Sequence, residues 1–276
     1  MLIETLTAGH DNYLYLVHNH EDAAVIDACC ADTVLQALAE RDLKLGWIFI
    51  THHHHDHIAG LRTLKEQTGA EVIAADDPRI PGIDRRVTDQ EIVTTPVGDF
   101  TVLATPGHGD RDVSYLWTGS ARPAGGRAGS LALPDDAQVA SGMGRANRPG
   151  EPNRAANSPE SPALFCGDTL FVSGCGRILD GRAAALWASL QKLAQLDDST
   201  RVYCGHEYTE DNLHFALTQF PDDQAYADRL EEIKQQLQRD GTSVPSTIAI
   251  EKRCNPFLRC RDLAEFTKLR SLKDRF

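Results

Sequence analysis

Four residues in the run WIFITHHHHDHIAG, numbers 47–60, have the types and spacing of metal ligands. His52, His54, Asp56 and His57 form the pattern HxHxDH. Imidazole nitrogen and carboxylate oxygen suit zinc, iron or manganese. In an extended segment alternate side chains share a face, so His52 and His54 are predicted to project together, with His53 and His55 opposed. Asp56 and His57 follow as the chain turns into a helix. A purification tag is terminal and solvated. This run lies between an apolar strand-like stretch and a helical pattern, on a strand-to-helix loop where α/β proteins collect their sites.

Three more candidates share that setting. His108 lies in LATPGHGD, Asp168 in LFCGDTLF and His206 in VYCGHEYT. Each follows a short apolar run and a glycine, which lets the backbone bring the ligand close. An isolated histidine after a strand is more often a packed or solvated residue; the repeated setting favours a ligand set. Seven candidates exceed what one tetrahedral ion uses and suit two ions sharing a carboxylate. Such a pair makes hydroxide available near neutral pH and stabilises a carbonyl oxyanion. A hydroxide made in this way needs no serine or cysteine nucleophile to attack a carbonyl. Asp56 is assigned the catalytic role of orienting, or accepting a proton from, the attacking water. Asp56→Asn with metal retained and an unchanged rate would refute that role.

The elements that must position these residues are legible in part. NYLYLVHN and AAVIDA read as paired strands, DTVLQALAERDL as a helix and LGWIFI as a buried strand. HIAGLRTLKEQTGA reads as one helix stopping at Gly69, followed by the strand EVIAA. Strands alternating with helices indicate an α/β domain. Residues 119–161 are rich in Gly, Ala, Pro, Ser, Asn and Arg without periodicity and read as a flexible insertion between two neighbouring strands. ALFCGDTLFV, AAALWASLQKLAQL and RVYCGHEYT then continue the α/β pattern. DNLHFALTQF and DQAYADRLEEIKQQLQRDG give two successive helices with no strand between, so a boundary is placed at 208/209.

The chain has 276 residues with 41% apolar and 25% charged content, ordinary for a globular protein with a sizeable core. No apolar run is long enough to cross a bilayer. The net charge of −12 argues against a general nucleic-acid binder. From Glu251 to Phe276, however, eight Lys or Arg face four Asp or Glu, so the tail is basic and suits a small anionic partner or a solvated helix end. Seven cysteines without CxxC spacing, and no export signal, lead to the expectation of reduced thiols in a cytoplasmic protein; a monomer is the separate expectation for its oligomeric state.

HxHxDH followed by His, Asp and His in this order resembles the metallo-β-lactamase superfamily. DNYLYLV, THHHHDHIAG, TPGH, FCGDTLFVSGCGR, GHEYTEDNLHFA and NPFLR further resemble the glyoxalase II, or hydroxyacylglutathione hydrolase, family. The resemblance runs from about Asp11 to Arg259 and lapses across the insertion. It implies an αββα sandwich over residues 1–208, two mixed sheets with helices outside, and a helical substrate-binding domain over 209–276. It assigns His52, His54 and His108 to one ion and Asp56, His57 and His206 to a second, with Asp168 bridging. It implies two divalent metal ions, zinc first with iron or manganese as alternatives. The implied reaction is hydrolysis of S-D-lactoylglutathione, or a related S-2-hydroxyacylglutathione, to D-lactate and glutathione by a metal-bridged hydroxide. Arg177, Tyr208, Arg259 and Arg261 take the glutathione-contact positions.

Three features depart from the family pattern. GHGDRDVSY places Gly109 and Asp112 where Thr and a second His are usual; ILDGR places Leu179 where an aromatic is usual; and the insertion is extra. The alternatives are another thioesterase, a lactonase, a one-iron persulfide dioxygenase, or a non-catalytic metal-binding protein.

Overall fold

The computed structural model describes residues 1–119 and 161–276. The insertion expected over 119–161 therefore lies, apart from its two end residues, outside the described residues.

The first sheet contains β1 (Leu2–Ala8), β2 (Asn12–His18), β3 (Asp22–Ile26), β4 (Lys44–Phe49), β5 (Glu71–Ala75) and β6 (Arg85–Val87), in that order. Its first three strands are antiparallel and the rest parallel. The helices α1 (Ala31–Arg41), α2 (His55–Ile58) and α3 (Leu61–Thr68) fall in its crossovers. The second sheet is built from β7 (Ile92–Thr95), β8 (Gly98–Ala104), β9 (Val113–Thr118), β10 (Ala163–Gly167), β13 (Arg201–Cys204) and β14 (Ser246–Thr247), running β14-β13-β10-β9-β8-β7. A small hairpin joins β11 (Leu170–Phe171) and β12 (Gly174–Cys175). The other helices are α4 (Ala183–Ala194), α5 (Thr209–Gln219), α6 (Gln224–Asp240), α7 (Ile248–Cys254) and α8 (Leu263–Lys273).

Strand periodicity explains the layers. In β2, Tyr13, Tyr15 and Val17 enter the core between the sheets, while Leu14 and Leu16 enter a second core. That second core receives Val34, Ala37 and Leu38 of α1 and Leu61 and Leu64 of α3. Both faces of the sheet are thus covered, which explains apolar runs where a half-buried strand would alternate with polar residues. Phe49 stacks on Phe100 across the sandwich, with ring centroids 4.2 Å apart. Each fully buried aromatic of this kind contributes roughly 1.5–3 kcal/mol.

β9 and β10 pair antiparallel, so the segment between them joins neighbouring strands, as the sequence implied. Three features differ from the sequence reading. β1 was not marked; it is a partly exposed edge strand with a weak apolar signal. The single helix expected from residue 57 to Gly69 is broken, because Gly60 N–H bonds the Ala28 carbonyl at 2.7 Å instead of continuing α2. Beyond residue 209 the chain also returns a strand, β14, to the second sheet; two residues, Ser and Thr, carry no strand signal of their own.

The sheets meet at one end. Tyr13 N–H bonds Gly205 O at 2.8 Å and Val113 N–H bonds Thr51 O at 3.0 Å. All seven ligand candidates lie on loops or helix starts at that end.

Candidate metal centre

His52 and His54 leave the end of β4 as the chain turns into α2, which carries Asp56 and His57. His108 follows β8, Asp168 follows β10 and His206 follows β13. The fold brings all seven together. Ligand atoms of His52, His54 and His108 lie within 4.8 Å of one another, as do those of Asp56, His57 and His206, and those of His52, His57 and Asp168. His54 Nδ1 is 2.8 Å from His108 Nε2, and His57 Nε2 is 3.2 Å from His206 Nε2. Asp168 reaches both groups: Oδ1 is 3.3 Å from His57, and Oδ2 is 3.5 Å from His206 and 3.6 Å from His108. His55 is exposed, and His53 turns outward to Asp77 and Asp180, as alternation required.

Gly205 explains the recurring glycine. A Cβ there would overlap Asp168 Oδ1 and lie 2.7 Å from His57 Cε1. Any side chain at 205 would fill the space between the ligands.

An outer layer sets the ring tautomers, and sequence reasoning missed most of it. His57 Nδ1–H donates to Asp27 at 2.8 Å, His206 Nδ1–H to Asp11 at 2.9 Å and His108 Nδ1–H to the Arg177 carbonyl at 2.7 Å. His52 Nδ1 meets Thr51 Oγ at 3.0 Å, and that hydroxyl donates to Asp27. Each bond fixes Nδ1 as a hydrogen-bonding atom and turns Nε2 inward, where it can ligate once it carries no proton. Asp27 ends the stretch AAVID with a left-handed φ of 58°. A non-glycine residue in that region was the available signal, and it is visible only in the fold.

The electrostatics divide the cage. Burial, with His57 beside it, holds His52 well below the usual imidazole range. Burial and His108 bring His54 to about 4. Both are neutral at pH 7. Burial also pulls on His57 and His206, but carboxylates outweigh it. Asp168 and Asp27 push His57 well up, and Asp168 and Asp56 raise His206 to about 10. Asp56 is held low, chiefly by its hydrogen bond to His206; Asp168 is held low by His57 and His206 against its burial. Protons on His57 and His206 thus balance the carboxylates where cations would sit, so metal uptake must displace them.

The residues fit divalent ions. His52 Nε2 and Asp168 Oδ1 are buried and have no hydrogen-bond partner, although buried polar atoms are rarely left so. Both atoms belong to the converging nitrogen and oxygen groups.

Comparison with known proteins now bears on identity. Residues 7–125 match the model of the metallo-beta-lactamase superfamily, and residues 207–276 match that of the hydroxyacylglutathione hydrolase C-terminus. A hydroxyacylglutathione hydrolase of Brucella anthropi is 36% identical, across 99% of this chain and 96% of that relative. This chain belongs to the hydroxyacylglutathione hydrolase family. Among solved structures, ETHE1 from Myxococcus xanthus superposes with a TM-score of 0.65 at 27% identity, covering 98% of this chain and 90% of that one. A metallo-beta-lactamase from Staphylococcus aureus gives 0.63 at 17% identity, covering 99% and 71%, and speaks to the fold alone.

In this hydroxyacylglutathione hydrolase family member the four expected substrate residues fall in different surroundings. Tyr208 stacks on His206, ring centroids 4.9 Å apart and planes 3° from parallel, and packs edge-on to Phe171. Arg177 is exposed beside the cage, its carbonyl held by His108. Arg259 is engaged elsewhere, 2.7 Å from Asp223 and over the Tyr226 ring. Arg261, just before α8, pairs with Glu265 in the first turn of that helix at 3.1 Å. None of those partners belongs to the cage. Lys273, which sequence reasoning did not single out, is half-buried at the end of α8. Burial, assisted by Arg270 and Arg177, lowers its pKa to about 8, while Asp211 opposes. Among the described residues no helix is long and apolar enough to cross a membrane.

Proposed function

We propose that this chain hydrolyses S-D-lactoylglutathione, or a related S-2-hydroxyacylglutathione, to the hydroxy acid and glutathione. The observation that carries this is the Asp168 carboxylate, which lies beside both groups of nitrogen ligands: Oδ1 is near His57, and Oδ2 is near His206 and His108. His52, His54 and His108 would hold one divalent ion, and Asp56, His57 and His206 a second, with Asp168 between. Zinc suits the donor set best, with iron or manganese as alternatives. Such ions, when bound, acidify water and draw charge from a carbonyl oxygen.

The chain's own residues supply the rest. The Asp56 side chain is half exposed, unlike the other ligands. Its depressed pKa makes it a poor proton store, so its role is to orient the water. Tyr208 walls the acyl end beside His206. Arg177 and Lys273 offer cations to the carboxylates of glutathione. Residues 1–208 would serve as the catalytic domain and 209–276 as the substrate-binding one, in a cytoplasmic monomer. A one-iron dioxygenase would leave Asp56 and His206 without a use.

The test is hydrolysis of S-D-lactoylglutathione beside a panel of other thioesters, with metal content measured on the same sample. Chelation is expected to lower the rate about 100-fold or more and zinc to restore it. Full activity with less than one ion per chain would sink the proposal, as would oxygen uptake on a single iron.

Lys273 adds a pH dependence. A lysine is cationic below its pKa, so its charge is present at pH 7 and lost as pH rises through about 8. KM for the anionic thioester is expected to climb above pH 8 while kcat does not follow. Lys273→Met should raise KM about tenfold at pH 7 and flatten that climb. An unchanged KM profile would remove Lys273 from substrate binding.

A further inference from the structure

His108 is secured largely by backbone. Its Nδ1–H donates to the Arg177 carbonyl, and its own carbonyl accepts from Leu179 N–H at 3.1 Å and Asp180 N–H at 3.2 Å. The turn around it is closed by the Gly107 N–H bond to Gly109 O at 2.6 Å, and one side chain braces it from the other side. Asp112 is 4% exposed, and its Oδ2 accepts the Gly109 N–H at 2.5 Å. Its backbone carbonyl accepts from Thr105 N–H at 2.9 Å, which ties the same residue to the end of β8.

The carboxyl occupies space that position 109 leaves free. A Cβ on Gly109 would overlap Asp112 Oδ1 and lie 3.2 Å from its Cγ. Oδ1 is buried without a hydrogen-bond partner. Leaving such an oxygen unpaired is unfavourable, so a second requirement must hold the side chain there. Closing the turn behind His108 meets that description. The outer side of the turn is fastened separately: Arg79 reaches Asp110, Asp180 at 3.1 Å and Asp77 at 2.7 Å.

We propose that Gly109 and Asp112 form one positioning pair, in which the carboxyl clasps the Gly109 N–H and fixes the direction of His108 Nε2 toward the ion site. This rests on the metal-centre reading above. Asp112 touches no substrate; it acts through Gly109 and the backbone of His108. In this chain the two positions are coupled by space, since the carboxyl lies where a Cβ at 109 would be.

The test is a double-mutant cycle on the full chain, read as zinc affinity by chelator competition. The melting temperature of metal-free protein is the control. Asp112→Ala and Gly109→Ala are each expected to weaken zinc binding by about 10- to 100-fold. Asp112→Asn keeps an oxygen for the Gly109 N–H and should stay within about threefold of wild type. In the Asp112→Ala background, Gly109→Ala should add less than about threefold, because no carboxyl remains to be displaced. Variants that melt lower yet bind zinc with unchanged affinity would overturn the pair, as would equal Gly109→Ala effects in both backgrounds. Asp112→Ala against Asp112→Asn decides the clasp even where Gly109→Ala fails to fold. Wild-type protein that takes up no zinc would instead overturn the metal reading itself.

Discussion

Asp168→Ala is expected to lower kcat/KM for thioester hydrolysis by about 1,000-fold or more, a loss of about 4 kcal/mol in transition-state stabilisation. The reason is its double engagement. One oxygen faces His57 and the other faces His206 and His108. On the proposed assignment, removing the carboxylate would strip a ligand from both ion positions at once. It also leaves the His57 and His206 nitrogens 3.2 Å apart with their principal counter-charge gone. Like charges at that distance repel strongly in a buried site. Asp168→Asn keeps the volume but not the charge and should be almost as severe. The measurement is steady-state kinetics with metal analysis of the same preparation. Two tightly bound ions and an undiminished rate in Asp168→Ala would end the idea of a shared carboxylate.

Asp27→Ala is the second large effect, although Asp27 stands behind His57 and is not itself one of the ligand candidates. Its carboxylate accepts Thr51 N–H at 2.9 Å, the Thr51 hydroxyl at 2.9 Å and His57 Nδ1–H at 2.8 Å, with all three residues buried. Truncation leaves those donors without partners and opens a small void, at an expected cost of about 3–5 kcal/mol of folding stability. Metal affinity should fall about 10- to 100-fold as well. Asp27→Asn separates the two consequences. An amide nitrogen turned toward His57 would favour the tautomer with its proton on Nε2, which cannot then ligate. That variant is expected to melt close to wild type but to hold less metal and to lose at least about 100-fold in rate. Calorimetry and metal analysis of the pair check this. An Asp27→Asn protein with full metal content would show that tautomer control lies elsewhere.

The ligand candidates were legible for a local reason. Each is one residue from a glycine or within the histidine run, beside a short apolar strand, so type and spacing carry the signal without knowledge of contacts. The alternation of His52 and His54 against His53 and His55 is likewise a property of extended backbone. The outer layer was not legible. Asp27 and Asp11 are 30 and 195 residues from the imidazoles they hold, and nothing in their neighbourhoods separates them from other acids at strand ends. Lys273 was hidden for the same reason. Its neighbours Arg177 and Asp211 come from other parts of the chain, and within its own helix it is one basic residue among several.

What the amino-acid sequence determined by itself was the inventory: an α/β succession, a set of nitrogen and oxygen ligands at strand ends, and a basic tail on an acidic chain. These follow from periodicity and residue chemistry, which act over a few residues. Only the tertiary structure decided which carboxylate joins the two ligand groups, which ring nitrogen each histidine turns inward, and which cations stand near the site. Those depend on two sheets closing on each other at one end, through backbone bonds such as Tyr13 to Gly205 and Val113 to Thr51, between segments far apart along the chain. Contacts of that range are products of packing, and no window of local sequence contains them.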